Sequence, residues 1–274
     1  MLIVDAQIHL WEKGTPSAHH RQEPYSAEQA IAGMDAAGVD RALIHPVMWD
    51  PHSNELAVET VRRYPDRFAI MGWFYLDQPE NRALVEHWKE RPGMLGLRFY
   101  FNERHKETWV NDGTLDWLWP AAERAGVPVS LAAAMFLPNV GKIAERHPGL
   151  KLIVDHMGVP RASRGESAYR FQPELLALAT HPNIAVKATG QAGYAEDEYP
   201  FRSLHPHLHR CFDAFGPERM FWGTDITRMQ CSWRQCVTLF TEELPWLKGR
   251  DLERVMGEAV CNWLGWPLPD RAKS

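Results

Sequence analysis

The chain has 274 residues, 45% of them hydrophobic and 24% charged, the balance of an ordinary globular protein with enough apolar side chains for one large core. Its net charge of −5 at pH 7 excludes the clustered-cation footprint that nucleic-acid binding requires, and no run approaches the ~18 uninterrupted apolar residues of a membrane helix. A small-molecule substrate is the expected partner, with neither nucleic acid nor membrane.

The first residues, Met1-Leu2-Ile3-Val4-Asp5, lack the basic region, apolar core and cleavage site of a secretory signal, so a cytoplasmic protein is expected. The four cysteines, Cys211, Cys231, Cys236 and Cys261, contain no CxxC pair and read as reduced thiols.

In chain order, short β-branched or apolar runs alternate with helix-forming segments eight times. Strands are expected at 2–8, 42–47, 68–76, 94–101, 127–131, 150–154, 183–188 and 220–223. Helices are expected at 26–37, 54–64, 79–91, 114–125, 137–147, 173–179, 204–215 and 232–244. Stop signals such as Ala37-Gly38, Ala125-Gly126 and Phe215-Gly216-Pro217 separate helix from following strand. Eightfold alternation predicts parallel strands, right-handed crossovers and closure into one (β/α)8 TIM barrel over residues 1–274. An open doubly wound sheet would want a glycine-rich turn after strand 1, and Ala6-Gln7-Ile8-His9-Leu10-Trp11 has no glycine. The longer polar connections at 14–24, 161–165 and 190–200 all follow strands and belong on the barrel mouth. The tail, 266–274, reads as a short docking segment with a frayed end.

Three strands finish in polar groups where barrel enzymes place their chemistry. Gln7 and His9, two apart on strand 1, share a side. Strand 6 ends in Val154-Asp155-His156-Met157-Gly158 and strand 8 in Gly223-Thr224-Asp225. Alternation sends Asp155 toward the helix layer and keeps His156 for the mouth. Arg98, within an apolar strand 4, needs an internal acid or an anionic ligand, and the ligand is the favoured reading. Lys187 on strand 7 is read as an internal ion-pair partner. Trp11 and Trp49, just beyond strands 1 and 2, are expected to wall a substrate pocket. His19 and His20 are assigned to the surface, and His205, His207 and His209 to a solvated helix face.

Asp5 to Trp11, Gly96-Leu97-Arg98-Phe99, Val154 to Gly158, Asn183 to Lys187 and Gly223-Thr224-Asp225 together resemble, in order and spacing, the amidohydrolase-2 branch of the amidohydrolase superfamily. The resemblance is greatest to its lactonase-like group, which includes pyrone-dicarboxylate lactonase and sugar-lactone hydrolases, and more distant to the metal-dependent aromatic-acid decarboxylases. It implies a distorted barrel with functional positions at His9, His156 and Asp225, and a substrate carboxylate held by Arg98. The family's first strand-1 histidine is Gln7 here, and the strand-5 ligand of metal-using relatives has no counterpart in Val129 to Ala134.

The resemblance therefore implies a metal-independent hydrolase that opens a lactone or related cyclic ester or amide. Asp225 would act as general base, His156 and His9 would polarise the carbonyl, and Gln7 would orient or donate a hydrogen bond. Three alternatives stand beside it: a zinc or manganese ion held by His9, His156 and Asp225, a metal-dependent decarboxylase, and a catalytically silent ligand-binding barrel. The family also leaves room for a homo-oligomer.

Overall fold

The structure, a computed structural model, describes residues 1–101, 109 and 112–269; the frayed end expected of the tail lies outside them. Eight parallel strands pair in chain order: β1 (Val4–Ile8), β2 (Arg41–Ile44), β3 (Phe68–Gly72), β4 (Met94–Tyr100), β5 (Val129–Ala132), β6 (Leu152–Val154), β7 (Ile184–Ala188) and β8 (Met220–Trp222). This is the expected TIM barrel. Helices α1 (Ala27–Ala37), α2 (Ser53–Arg63), α3 (Leu118–Arg124), α4 (Leu137–Arg146), α5 (Gln172–Ala177), α6 (His205–Phe215) and α7 (Trp233–Thr241) occupy their predicted places. Among the described residues, no helix is long and apolar enough to cross a membrane.

Local chemistry sets the helix ends. Ser26 and Gln29 form a capping box at the start of α1, and Ser232 and Gln235 form another at α7. Gly38 ends α1 at φ 77°, in the left-handed region that glycine enters without a Cβ penalty. The helix expected at 79–91 is instead two 3-10 segments, Pro79–Val85 and Trp88–Glu90. Trp88 drops into the core and donates from Nε1 to the Gly96 carbonyl at 2.8 Å, an anchor that draws the chain out of α-helical register.

Strand pairing sets Arg98 beside Ser130, Ser130 beside Ile153, Ile153 beside Ala185, and Lys187 beside Phe221, so these side chains share the inward face. One end of that face is apolar: Val4, Leu43, Met71, Ile153 and Phe221 gather against Val260, Cys261 and Leu264. The last three belong to a C-terminal segment the alternation did not predict, α8 (Gly249–Glu253), a π turn (Arg254–Glu258) and α9 (Ala259–Leu264). Gly257 sits so close to β1 that a Cβ would come within 2.7 Å of the Leu2 carbonyl oxygen. With this end plugged by apolar packing, Arg98, Ser130 and Lys187 meet around Asp155 at the other. Beyond α9, Trp266 docks as expected: the Arg41 guanidinium lies 5.0 Å from its ring centroid and donates to the Pro267 carbonyl.

The seam between β8 and β1 is closed by a turn and a carboxylate. Asp225 N donates to the Gln7 carbonyl at 2.9 Å. Buried Asp5 accepts from Gln7 N, Thr224 N, Thr224 Oγ1 and Trp233 Nε1 at 2.5–3.0 Å. Gly223 allows this approach, since a Cβ there would lie 2.8 Å from Ala6 N. Asp5 thus fixes the residues leading into Asp225.

Candidate active site

Gln7 is fully buried and organises the site from beneath. Lys187 Nζ donates to Gln7 Oε1 at 2.7 Å, which orients the amide because its nitrogen would be repelled by the ammonium. Nε2 then faces His9 Nε2 at 3.4 Å and His156 Nε2 at 3.3 Å. A ring that accepts from this amide carries its proton on Nδ1. For His9 that proton meets the His45 carbonyl at 2.6 Å, and for His156 the Thr189 carbonyl at 3.2 Å. Burial pulls the His156 ring down to about 3, so it is neutral at pH 7.

At the end of β6 the chain leaves extended geometry: His156 and Met157 adopt φ 55° and 54°. Left-handed backbone at two successive non-glycine residues is strained and concentrates at functional sites. Asp155 contradicts the expectation that it faces the helix layer: alternation carries the inward set from Ile153 to Asp155, and the left-handed turn brings His156 to the mouth as well. Asp155 turns inward and accepts from Ser130 Oγ at 2.5 Å and Arg98 Nε at 2.7 Å, with Lys187 Nζ at 2.7 Å. Burial would raise its carboxyl, but Lys187 and Arg98 override this and hold it well below the usual carboxylate range. Burial also draws Lys187 down to about 8 against the attraction of Asp155. The favoured reading of Arg98 is corrected accordingly: it has an internal acidic partner, although its guanidinium also reaches the cavity wall.

Asp225, at φ 55° beyond β8, sits differently. Arg228 Nη1 donates to its Oδ2 at 3.1 Å, and His156 Nε2 stands 3.8 Å from that oxygen. Its Oδ1 lies 3.2 Å from His9 Nε2 but makes no aligned hydrogen bond, despite complete burial. Burial pushes the carboxyl up; the neighbouring His9 and Arg228 outweigh it and hold Asp225 well below its ordinary range.

These groups open into a cavity of about 340 Å³ whose lining includes His9, Trp49, Arg98, His156, Asp225 and Arg228. Trp49 walls it as expected. Trp11 does not: it is fully buried behind Trp49, with ring centroids 5.5 Å apart. Gln7 likewise acts from behind the wall.

Several cavity residues escaped the sequence reading, Arg228, His19 and His20 among them. Arg228 follows Asp225 by three, and a cation just past a polar strand end was the available signal. His20, expected at the surface, is buried: its Nδ1 pairs with Thr227 Oγ1 at 2.8 Å and its ring packs 5.1 Å from Trp49. Burial lowers it to about 2. Its neighbour His19 is exposed but reaches the same cavity. His207 is also buried, stacked 3.7 Å from Tyr169 and bonded to Gln172, because the apolar face of α6 carries it inward. His209 stacks on Trp246.

The residues fit a divalent ion. Ligand atoms of His9, His20 and Asp225 lie within 4.8 Å of one another, and the unpaired Asp225 Oδ1 faces His9 Nε2. The sequence placed His156 in this group; the set that lies within this distance has His20 in its place.

A family model described as "Amidohydrolase" matches residues 4–273. The chain is 22% identical over 230 residues to an L-fucono-1,5-lactonase of Burkholderia ambifaria, covering 81% of this chain and 79% of the relative. It is 26% identical over 141 residues to a 2-pyrone-4,6-dicarboxylate hydrolase of Comamonas testosteroni, covering 48% and 46%. Its fold matches that of an amidohydrolase from Burkholderia multivorans crystallised with bound zinc, with a TM-score of 0.84 at 20% identity over 97% of this chain and 100% of that one. With the barrel and a family match that runs nearly end to end, the chain belongs to the amidohydrolase family and is a hydrolase.

Proposed function

We propose that the protein opens the lactone ring, or a related cyclic ester or amide, of a small carboxylate-bearing substrate. The observation that carries this reading is the Asp225 Oδ1 oxygen, buried, without a hydrogen-bond donor and 3.2 Å from His9 Nε2. The two relatives named for lactone hydrolysis support the substrate class.

A carboxylate held far below neutrality is a weak base by itself. Beside His9 it becomes half of a pair that shares one proton. Water gives a proton to this pair as its oxygen bonds to the carbonyl carbon. Arg228, cationic and adjacent, stabilises the charge that develops on the carbonyl oxygen. The ring C–O bond then breaks, and the leaving oxygen takes the proton from the pair, giving a hydroxy acid. Neutral His156, accepting from Gln7, has no proton to offer the carbonyl, so its part is to position Gln7 and the Asp225 turn. The guanidinium of Arg98 offers a substrate carboxylate its contact at the cavity wall.

If an ion binds, His9, His20 and Asp225 would hold it, and it would supply an activated water and a polarised carbonyl. The Gln7 amide stands where the family's first strand-1 histidine would be and is a poor ion ligand, which favours the metal-independent form. Turnover of a lactone panel before and after chelation, on protein purified without an affinity tag, tests this. Ring opening that survives chelation is expected. Activity that vanishes with chelator and returns with Zn²⁺ selects the metal form, and carbon dioxide release in place of ring opening selects decarboxylation.

A further inference from the structure

A second cavity, also of about 340 Å³, adjoins the catalytic one. Pro46, Met48, Arg98 and Tyr100 line both, so the two share a ridge and not merely a neighbourhood. Beyond the ridge, the walls include Trp73, Tyr75, Leu76, Phe99 and Trp109, with the Asp77 carboxylate among them. Asn54 clamps Trp73, donating to its carbonyl at 2.8 Å and accepting from its N–H at 3.2 Å. Trp73 and Tyr75 meet edge to face, 5.0 Å between centroids. Trp73 is only 7% exposed, yet its Nε1 has no hydrogen-bond partner. Aromatic walls around a cavity of this size fit a planar, apolar group. A polyhydroxylated chain would leave hydroxyls unpaired against these walls.

We propose that the second cavity binds an aromatic ring of the substrate, so that the hydrolysed compound is an aryl-bearing lactone whose carboxylate meets Arg98 at the junction. This rests on the lactonase reading and specifies its substrate class. The reacting ring sits against Asp225, the aryl group crosses the ridge, and its face lies on Tyr75.

The test compares δ-valerolactones carrying phenyl or methyl, on wild type, Tyr75→Ala and Trp73→Phe. Wild type should favour the phenyl compound by about tenfold in kcat/KM, the scale at which an apolar pocket discriminates. In Tyr75→Ala that ratio should fall toward one. Trp73→Phe trims one aromatic wall while keeping its character, so the ratio should fall less than in Tyr75→Ala. An unchanged ratio in both variants overturns the proposal. If no lactone is opened, the lactonase reading fails and calorimetric binding decides the cavity separately: phenylacetate binding weakened by Tyr75→Ala supports it, and equal binding overturns it.

Discussion

Asp155 and Asp225 are buried carboxylates just beyond β6 and β8, and their surroundings assign them different work. Asp155 meets Ser130, Arg98 and Lys187 within 2.7 Å, leaving no oxygen unpaired. Asp225 has one oxygen paired with Arg228 and the other without a donor, on the wall of the cavity. A saturated carboxylate holds strands together and has nothing left to give a substrate. One with an unpaired oxygen can accept a proton. Burial alone does not separate the two; the count of donors does.

The largest effect should come from removing the unsaturated member. Asp225→Asn keeps the shape and abolishes the base, so turnover should fall about 10²–10⁴-fold, with the melting temperature little changed. Steady-state kinetics beside a thermal melt would check this. Wild-type turnover would remove Asp225 from the chemistry, and a large loss of stability would make it another Asp155.

Breaking the saturated cluster should do the reverse. Lys187→Met strips one cation from Asp155 and leaves a buried charge undercompensated, at a cost of about 3–5 kcal/mol in unfolding free energy. Adding Asp155→Asn should recover part of that loss, since the uncompensated charge is then gone. Urea unfolding of the single and double variants measures the coupling. Additive losses would mean that the contact contributes no specific stability.

Much of this contrast was legible in the sequence. The eight strands showed because a barrel strand is covered on both faces and reads as a short apolar run, and Gln7, His9, His156 and Asp225 stood out as polar groups at strand ends. Asp155 was misplaced because His156 was taken to mark the inward face; alternation from Ile153 points Asp155 inward, and the left-handed turn that brings His156 to the mouth too has no signature in residue type. His20 looked like a surface histidine because its burial depends on Thr227, 207 positions away. The C-terminal plug escaped because it breaks the strand-helix rhythm and has meaning only against the closed barrel.

A third carboxylate, Asp5, gives the smallest and most diagnostic prediction. Burial raises it to about 6 from 3.8, despite four donors. The folded chain therefore holds this proton more tightly than the unfolded chain. Its contribution favours the fold below pH 3.8 and is lost as pH rises toward 6, by up to about 3 kcal/mol at 1.36 kcal/mol per pKa unit. Asp155 has the opposite sign: held below 3.8, it adds stability above that pH and loses it as pH falls further. Acidification from pH 7 should therefore first relieve the seam at Asp5 and only below about pH 4 loosen the cluster at Asp155. Melting temperatures of wild type and Asp5→Asn between pH 3 and 7 separate the two. The variant cannot titrate at this position, so the two curves should converge or diverge between pH 4 and 6 and run parallel elsewhere. Parallel curves throughout would mean that Asp5 holds its proton equally in the folded and unfolded chain, its four donors cancelling its burial.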